Sequence, residues 1–424
     1  MKLDALLNVD VVAVETADQL SALVQLTAPS APGSTVTRTP STLVVVLDRS
    51  GSMRSGGRLE GAKTALLTLI DQLSPTDRFG VVTFDDAVRV DVPAGPLTDK
   101  PAVKRGIAQI QPGGTTDLSS GYLRGLQEAR RAAGPDGATV LLISDGHANA
   151  GITDADQLAS IASTFASQRV STSAMGYGLG YDERLLSAVA KGGRGNELFA
   201  EDPDQAGALI AGEIDGLLSQ TVQAASLLVR MSPAVKQVAL ANDMVVSPTP
   251  DGLLVELGGF WADEERKLLL TFDVPGLSSH GLTQVATLEL TYVDVPLMME
   301  QTVSLPLHVN VVPGDEAAGR ISNPFVLTEM AFLAAQASKR EASRRLSEGD
   351  SFGAVSRLRT AHEALSDAMA EASPEAHAEL EQEAGVIDQL RSQAEHGDMN
   401  RSAKRLSSDS STKSRQRGRR PHNR

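Results

Sequence analysis

The sequence predicts an α/β protein: a doubly wound, mostly parallel sheet inserted in or followed by a β-sandwich, with a C-terminal helical segment. Three observations carry that reading. Between residues 41 and 218, unbroken apolar runs alternate with stretches of helical period, as parallel strands buried on both faces and joined by helices do. From 219 to 315 the texture changes to short alternating runs punctuated by Gly and Pro, the pattern of a sandwich. Beyond 316 the apolar spacing is helical again.

Taken in order, 9–14 and 19–27 read as a hairpin-like pair. It is too small to stand alone, so residues 1–40 are expected to complete the later sandwich, with 41–218 as the insertion. Within that insertion, 43–47, 78–84, 139–144 and 170–177 read as strands. Residues 59–73, 99–110, 118–131, 182–190 and 204–218 read as helices, the second of them capped by Thr98. In the sandwich region 219–315, strands are expected at 225–230, 235–239, 253–257, 267–274, 284–293 and 301–312. Trp261, the sole Trp, is expected at a sandwich edge.

A helical arm spans 316–397. Pro324 opens a helix to about 346, Glu348-Gly349-Asp350 breaks it, 352–370 follows, and Ser373-Pro374-Glu375 opens a third helix to about 394. The break is faintly similar to a tetratricopeptide hairpin, but one unit falls below the roughly three that a free-standing solenoid needs.

Composition narrows the function classes. The 424 residues leave room for two or three domains. Cysteine is absent, which removes disulfides, thiolate metal sites and thiol nucleophiles. The N-terminal stretch has Asp4 and Asp10 where a signal peptide needs an apolar core, and no run approaches a membrane span; a cytoplasmic location is the expectation. The net charge of −14 conceals an asymmetry. Residues 401–424 hold nine Lys and Arg against one acid, Asp409, leaving 30 against 52 in the rest. Residues 398–424 are expected to form a disordered basic tail. No aromatic interleaves its cations, so folding back on acidic surface is favoured over nucleic-acid binding.

The most informative stretch is Leu43-Val44-Val45-Val46-Leu47-Asp48-Arg49-Ser50-Gly51-Ser52-Met53. A doubly buried strand ends in a carboxylate and two hydroxyls at alternate positions, and Gly51 is expected to tighten the turn. Such hard oxygen donors suit a hard cation. A second apolar strand ends in Ser144-Asp145-Gly146, and Gly113-Gly114-Thr115-Thr116-Asp117 lies between the two. The ordered set Asp48, Ser50, Ser52, Thr116 and Asp145 resembles the metal-ion-dependent adhesion site of the von Willebrand factor A family.

That resemblance implies Mg²⁺, with Mn²⁺ or Ca²⁺ as alternatives. It implies direct ligation by Ser50, Ser52 and Thr116, with Asp48 and Asp145 acting partly through water. An open position would accept an Asp or Glu of a partner protein. At about 4 Å, unit charges near a protein surface attract by roughly 4 kcal/mol, too little for tight binding without a surrounding surface.

The expected function is thus a Mg²⁺-dependent protein-binding module, adhesive or scaffolding, and not an enzyme. The alternative is a subunit of an AAA+ ATPase assembly, since similar domains partner MoxR-type ATPases and magnesium chelatases. A metal-dependent hydrolase ranks behind both, because no phosphate-cradling loop and no Ser/His/Asp arrangement is legible, although Arg49 and Arg54 are near the motif. Gly176-Tyr177-Gly178-Leu179-Gly180 lacks dinucleotide spacing. His147 reads as a loop residue facing solvent.

Overall fold

The computed structural model describes residues 1–31, 39–134, 137–146, 148–370 and 372–415. Three strands open the chain: β1 (Lys2–Leu7), β2 (Val11–Ala13) and β3 (Asp18–Thr27). An α/β unit follows, beginning with β4 (Thr42–Asp48), a 3-10 turn over Gly51–Gly57, α1 (Arg58–Gln72), β5 (Arg78–Phe84) and β6 (Val88–Pro96). It continues through α2 (Lys100–Ala108), α3 (Leu118–Ala132), β7 (Ala138–Ser144), α4 (Ala155–Ser167) and β8 (Val170–Tyr177). It closes with α5 (Glu183–Gly192), β9 (Arg194–Ala200) and α6 (Pro203–Leu218).

Seven strands come next: β10 (Gln220–Met231), β11 (Gln237–Leu240), β12 (Val246–Thr249), β13 (Gly252–Trp261), β14 (Glu265–Val274), β15 (Gly281–Asp294) and β16 (Met299–Val312). The chain ends in helices α7 (Gly314–Ala318), α8 (Pro324–Ser347), α9 (Ser351–Met369), α10 (Pro374–His396) and α11 (Met399–Arg415).

The α/β unit has a six-stranded sheet in the order β6-β5-β4-β7-β8-β9. All its pairs are parallel except that of β6 with β5. β4 is buried along its whole length because each face is covered. One face packs under α1 and α6 through Leu66, Ile70, Ile210 and Ile214. The other packs under α3, α4 and α5 through Tyr122, Leu126, Leu158 and Leu186. This double burial is why the β4 sequence runs apolar without alternation.

The sandwich has sheets ordered β1-β3-β14-β11 and β12-β13-β10-β15-β16-β2, enclosing one core that includes Leu20, Val24, Leu227, Phe260 and Leu288. The α/β unit lies in the chain between β3 and β10, so it interrupts the sandwich. α8 to α11 share a core with Leu23 of β3 and Leu269 of β14, and so cover the outer face of the four-stranded sheet.

Several expectations are corrected. Residues 9–14 and 19–27 do not form a hairpin: β2 runs parallel to β16, while β3 pairs with β1 and β14. The sequence pattern does not predict β1, β6, β9 or β12. β6 and β12 contain proline, which an edge strand tolerates, and β9 carries Gly, Asn and Glu in place of an apolar run. The cap of α2 is Asp99, whose carboxylate accepts from the Ala102 N–H, not Thr98. Trp261 sits over α6, where a Cβ on Gly216 would come within 2.0 Å of its indole.

The basic tail is the largest correction. Residues 399–415 form α11, with Ala403 and Leu406 buried. Its cations meet acids of other elements: Lys404 with Glu183, Arg405 with Glu201, and Lys413 with Glu383. Charge complementarity therefore orders a segment that composition alone marks as disordered. Residues 416–424 lie outside the described residues.

Candidate metal centre at the carboxyl rim of the sheet

The register of the parallel sheet sets the geometry. Leu47 of β4 pairs with Ile143 of β7, so the next residues, Asp48 and Ser144, meet at the strand ends. The Ser144 hydroxyl donates to Asp48 Oδ2 at 2.7 Å, and the Ser50 N–H donates to Asp48 Oδ1 at 2.8 Å. Asp48 is fully buried, and burial pushes its carboxyl up to about 6. Hydrogen bonds from Ser50 and Ser144 oppose that rise, and the nearby Asp145 carboxylate adds to it.

The turn after β4 brings the hydroxyls together. Ser50 Oγ lies 3.0 Å from Ser52 Oγ, and the Ser52 hydroxyl donates to Asp145 Oδ1 at 2.6 Å. Gly51 does not adopt a left-handed φ, and a Cβ there would meet only ordinary contacts at 3.6 Å. In this turn the glycines with positive φ are Gly56 and Gly57, just before α1.

Thr116 arrives on the loop before α3. That loop is held to the turn by Gly113 N–H donating to Arg49 O at 2.7 Å and Gly51 N–H donating to Gly114 O at 2.9 Å. Asp117 caps α3 by accepting from the Ser120 N–H. A Cβ built on Gly146 would lie 3.3 Å from Thr116 Oγ1, 3.7 Å from Ser52 Oγ and 4.0 Å from Asp48 Oδ2. Oxygens from two separate segments, the β4 end with its turn and the loop before α3, thus border one small cradle at Gly146, which glycine leaves open.

The five predicted residues therefore converge. Asp48, Ser50, Thr116 and Asp145 are buried and Ser52 is exposed, so the cluster opens to solvent on one side. In an octahedral Mg²⁺ shell of about 2.0–2.1 Å, adjacent oxygens lie about 2.9 Å apart. The 3.0 Å between Ser50 Oγ and Ser52 Oγ is close to that edge, the 2.6 Å from Ser52 to Asp145 is a charge-assisted hydrogen bond, and the donor set is all hard oxygen. Among the described residues, no group of three or more His, Cys, Asp or Glu is placed to hold a metal ion. Any cation at this rim would depend on hydroxyls with two carboxylates.

Sequence reasoning missed three neighbours. Ser144 orients Asp48. Asp85 accepts from the Gly114 N–H at 3.0 Å and pairs with Arg49 at 2.7 Å. It is held below the usual carboxylate range although burial opposes this, because the Ala87 and Gly114 amides and Arg49 outweigh it. Arg49 is thereby committed to the loop, and Arg54 is exposed. The third is Arg58, whose Nη1 donates to Asp145 Oδ2 at 2.6 Å. His147 lies outside the described residues.

A separate cavity of about 290 Å³ lies at the opposite end of the strands, lined among others by Thr42, Thr139 and Ser171. Thr42 opens β4 and Asp48 closes it, so the length of the strand separates this cavity from the rim. Among the described residues, no helix is long and apolar enough to cross a membrane.

Comparisons with known proteins agree with this architecture. An uncharacterized protein of Synechocystis is 26% identical over 337 residues, covering 76% of this chain and 78% of that one. Inter-alpha-trypsin inhibitor heavy chain H1 of Sus scrofa is 28% identical over 182 residues, 40% of this chain and only 20% of the heavy chain.

Among solved structures, a von Willebrand factor type A protein from Catenulispora acidiphila superposes with a TM-score of 0.71 at 18% identity, covering 87% of each chain. The ArnB paralog VWA2 from Sulfolobus acidocaldarius gives 0.65 at 16% identity, covering 97% of this chain and 98% of that one. Residues 43–147 match the family model for the von Willebrand factor type A domain. With its parallel sheet and flanking helices, the α/β unit of this chain has the fold of von Willebrand factor type A domains and is similar to them in sequence over residues 43–147.

Proposed function

We propose that Asp48, Ser50, Ser52, Thr116 and Asp145 hold a divalent cation, Mg²⁺ in preference to Mn²⁺ or Ca²⁺, and that the exposed side of the site receives an Asp or Glu of a partner protein. The observation that carries this reading is the convergence of hard oxygens from the turn after β4, the loop before α3 and the end of β7: Ser52 Oγ links Ser50 and Asp145, and Thr116 Oγ1, Ser52 Oγ and Asp48 Oδ2 border the space left open by Gly146. A bound cation would supply a positive charge that the neutral hydroxyls leave largely uncompensated.

The chain's residues then have separable tasks. Asp48, fixed by Ser144 and the Ser50 amide, provides buried negative charge. Ser50 and Ser52 present hydroxyls from a single turn. Thr116 brings a third hydroxyl from a loop tied to Arg49 and Asp85. Asp145 closes the set, with one oxygen on Ser52.

Binding is favoured over catalysis because the rim's polar groups are spent on one another. Asp48 and Asp145 accept from Ser144, Ser50, Ser52 and Arg58, and Arg49 is paired with Asp85. Domains of this type generally mediate protein–protein interaction or adhesion, which fits that inference.

The test combines titration and capture. Calorimetry of the full chain with Mg²⁺ should give one site, abolished by Asp48→Ala with the circular dichroism spectrum retained. An immobilised chain should then retain a partner in Mg²⁺ and release it in EDTA. Retention that is equal in EDTA, or equal for Asp48→Ala, would refute the reading.

A further inference from the structure

We propose that Arg58 is a positioning residue of the rim: its guanidinium is the internal counter-ion of Asp145, weakening cation binding and biasing the site toward Mg²⁺ over Ca²⁺. The inference rests on the metal reading above and adds a determinant of selectivity to it.

Arg58 is the first residue of α1. A cation there opposes the positive end of the helix dipole, so the helix itself gives no reason for an arginine. The reason lies 87 residues away: Nη1 donates to Asp145 Oδ2 at 2.6 Å. The pair is well enclosed, with the Asp145 side chain fully covered and that of Arg58 one-quarter exposed.

The fold makes room for this guanidinium. Gly57, with φ +69, turns the chain into α1 so that Arg58 leads the helix. On the opposite side, the turn after β8 passes so close that a Cβ on Gly178 would fall 2.6–2.8 Å from Nη2, Cζ and Nε. Gly178 has φ +73, so a side chain there would be strained as well as blocked. Two glycine positions and one ion pair thus seat Arg58 against Asp145.

The consequence is electrostatic and geometric. Ser52 fills Asp145 Oδ1 and Arg58 fills Oδ2, so the chain's own donors occupy both carboxylate oxygens. Two carboxylates less one guanidinium leave the rim with a single negative charge. A divalent cation then keeps positive charge for an incoming carboxylate. The cost is weaker metal affinity. Without Arg58 the rim would carry two negative charges and Oδ2 would be released. Ca²⁺, which takes 6–8 oxygens and accepts bidentate carboxylates, gains most from that release; Mg²⁺ demands a compact octahedron and gains less.

The experiment is calorimetric titration of the full chain with Mg²⁺ and with Ca²⁺, for wild type, Arg58→Met, Arg58→Gln and Arg58→Lys. Thermal melts in EDTA report folding. Both neutral variants are expected to bind each ion more tightly, with Ca²⁺ affinity rising at least tenfold more than Mg²⁺ affinity. Arg58→Lys, which keeps the charge, should stay within a fewfold of wild type. Arg58→Gln also removes the charge, and its shorter polar side chain can be solvated at this partly exposed position, so it keeps the test usable if Arg58→Met does not fold. Unchanged or weaker binding by the neutral variants, or equal gains for both ions, would overturn the role of Arg58. Absence of binding by wild type would overturn the metal reading itself, and this inference with it.

Discussion

Replacing Asp48 with Asn should stabilise the metal-free protein while destroying the cation site. Asp48 is fully buried, and burial raises its carboxyl from 3.8 to about 6 despite hydrogen bonds from Ser50 and Ser144. For the ionised form, that difference corresponds to roughly 3 kcal/mol of lost stability. The sign follows from proton binding. The native state holds the Asp48 proton more tightly than the unfolded chain, so this contribution is fully present below about pH 4 and is lost as pH rises through about 6.

Asn reproduces the shape without the charge. Its carbonyl accepts the Ser50 N–H, and its amide donates to Ser144 Oγ once that hydroxyl rotates. Carboxylates held below their usual range, such as Asp85 and Glu128, are common to both proteins and cancel in the difference. Urea unfolding in EDTA should therefore show matching stabilities near pH 4 and Asp48→Asn ahead by about 3 kcal/mol at pH 7.5. Saturating Mg²⁺ should stabilise only the wild type. An Asn variant less stable at pH 7.5, or a gap independent of pH, would refute the argument.

Other predictions follow from particular contacts. If a partner carboxylate completes the shell, Thr116→Ala should weaken partner binding more than Mg²⁺ binding; equal losses by calorimetry and surface plasmon resonance would argue against it. Arg266 is fully buried, pairs with Glu264 at 2.7 Å and donates to the carbonyls of Leu257 and Gly259. Arg266→Met should cost about 3–5 kcal/mol in urea unfolding, and a loss below about 1 kcal/mol would contradict that. Lys404 donates to Tyr181 O and Glu183 at 2.5 Å, so Lys404→Ala should speed amide exchange around residues 178–183 without altering the sandwich. Residues 219–315 expressed alone should aggregate, because β14 loses β3 and exposes its edge; a soluble monomer would show that β3 is dispensable.

Legibility in the sequence follows physical uniqueness. β4 and β7 are buried on both faces, and a short apolar run bounded by polar turns fits little else than a central parallel strand. The donors Asp48, Ser50, Ser52 and Asp145 follow directly at those strand ends, and parallel register brings them together. Edge strands carry little signal: β6 has Pro93 and Pro96, and β9 has Gly195 and Asn196 in place of an apolar run. The pairing of β2 with β16 instead of β3 depends on contacts about 300 residues apart, which local alternation cannot encode.

The α11 segment reads as disorder because Arg401-Ser402-Ala403-Lys404-Arg405 has too few apolar groups to fold alone. Its stability comes from Glu183, Glu201 and Glu383 on other elements. Arg58 escapes sequence reasoning because its partner is remote and its own neighbourhood marks only a helix start.

The most direct test is to place an ion. A crystal of the full chain grown with Mn²⁺ and measured at the manganese edge should show one strong anomalous peak among Ser50 Oγ, Ser52 Oγ and Thr116 Oγ1, lost in Asp48→Ala. A peak elsewhere, or an ordered wild-type rim in saturating Mn²⁺ with no peak at all, would contradict the assignment of these residues as a metal centre.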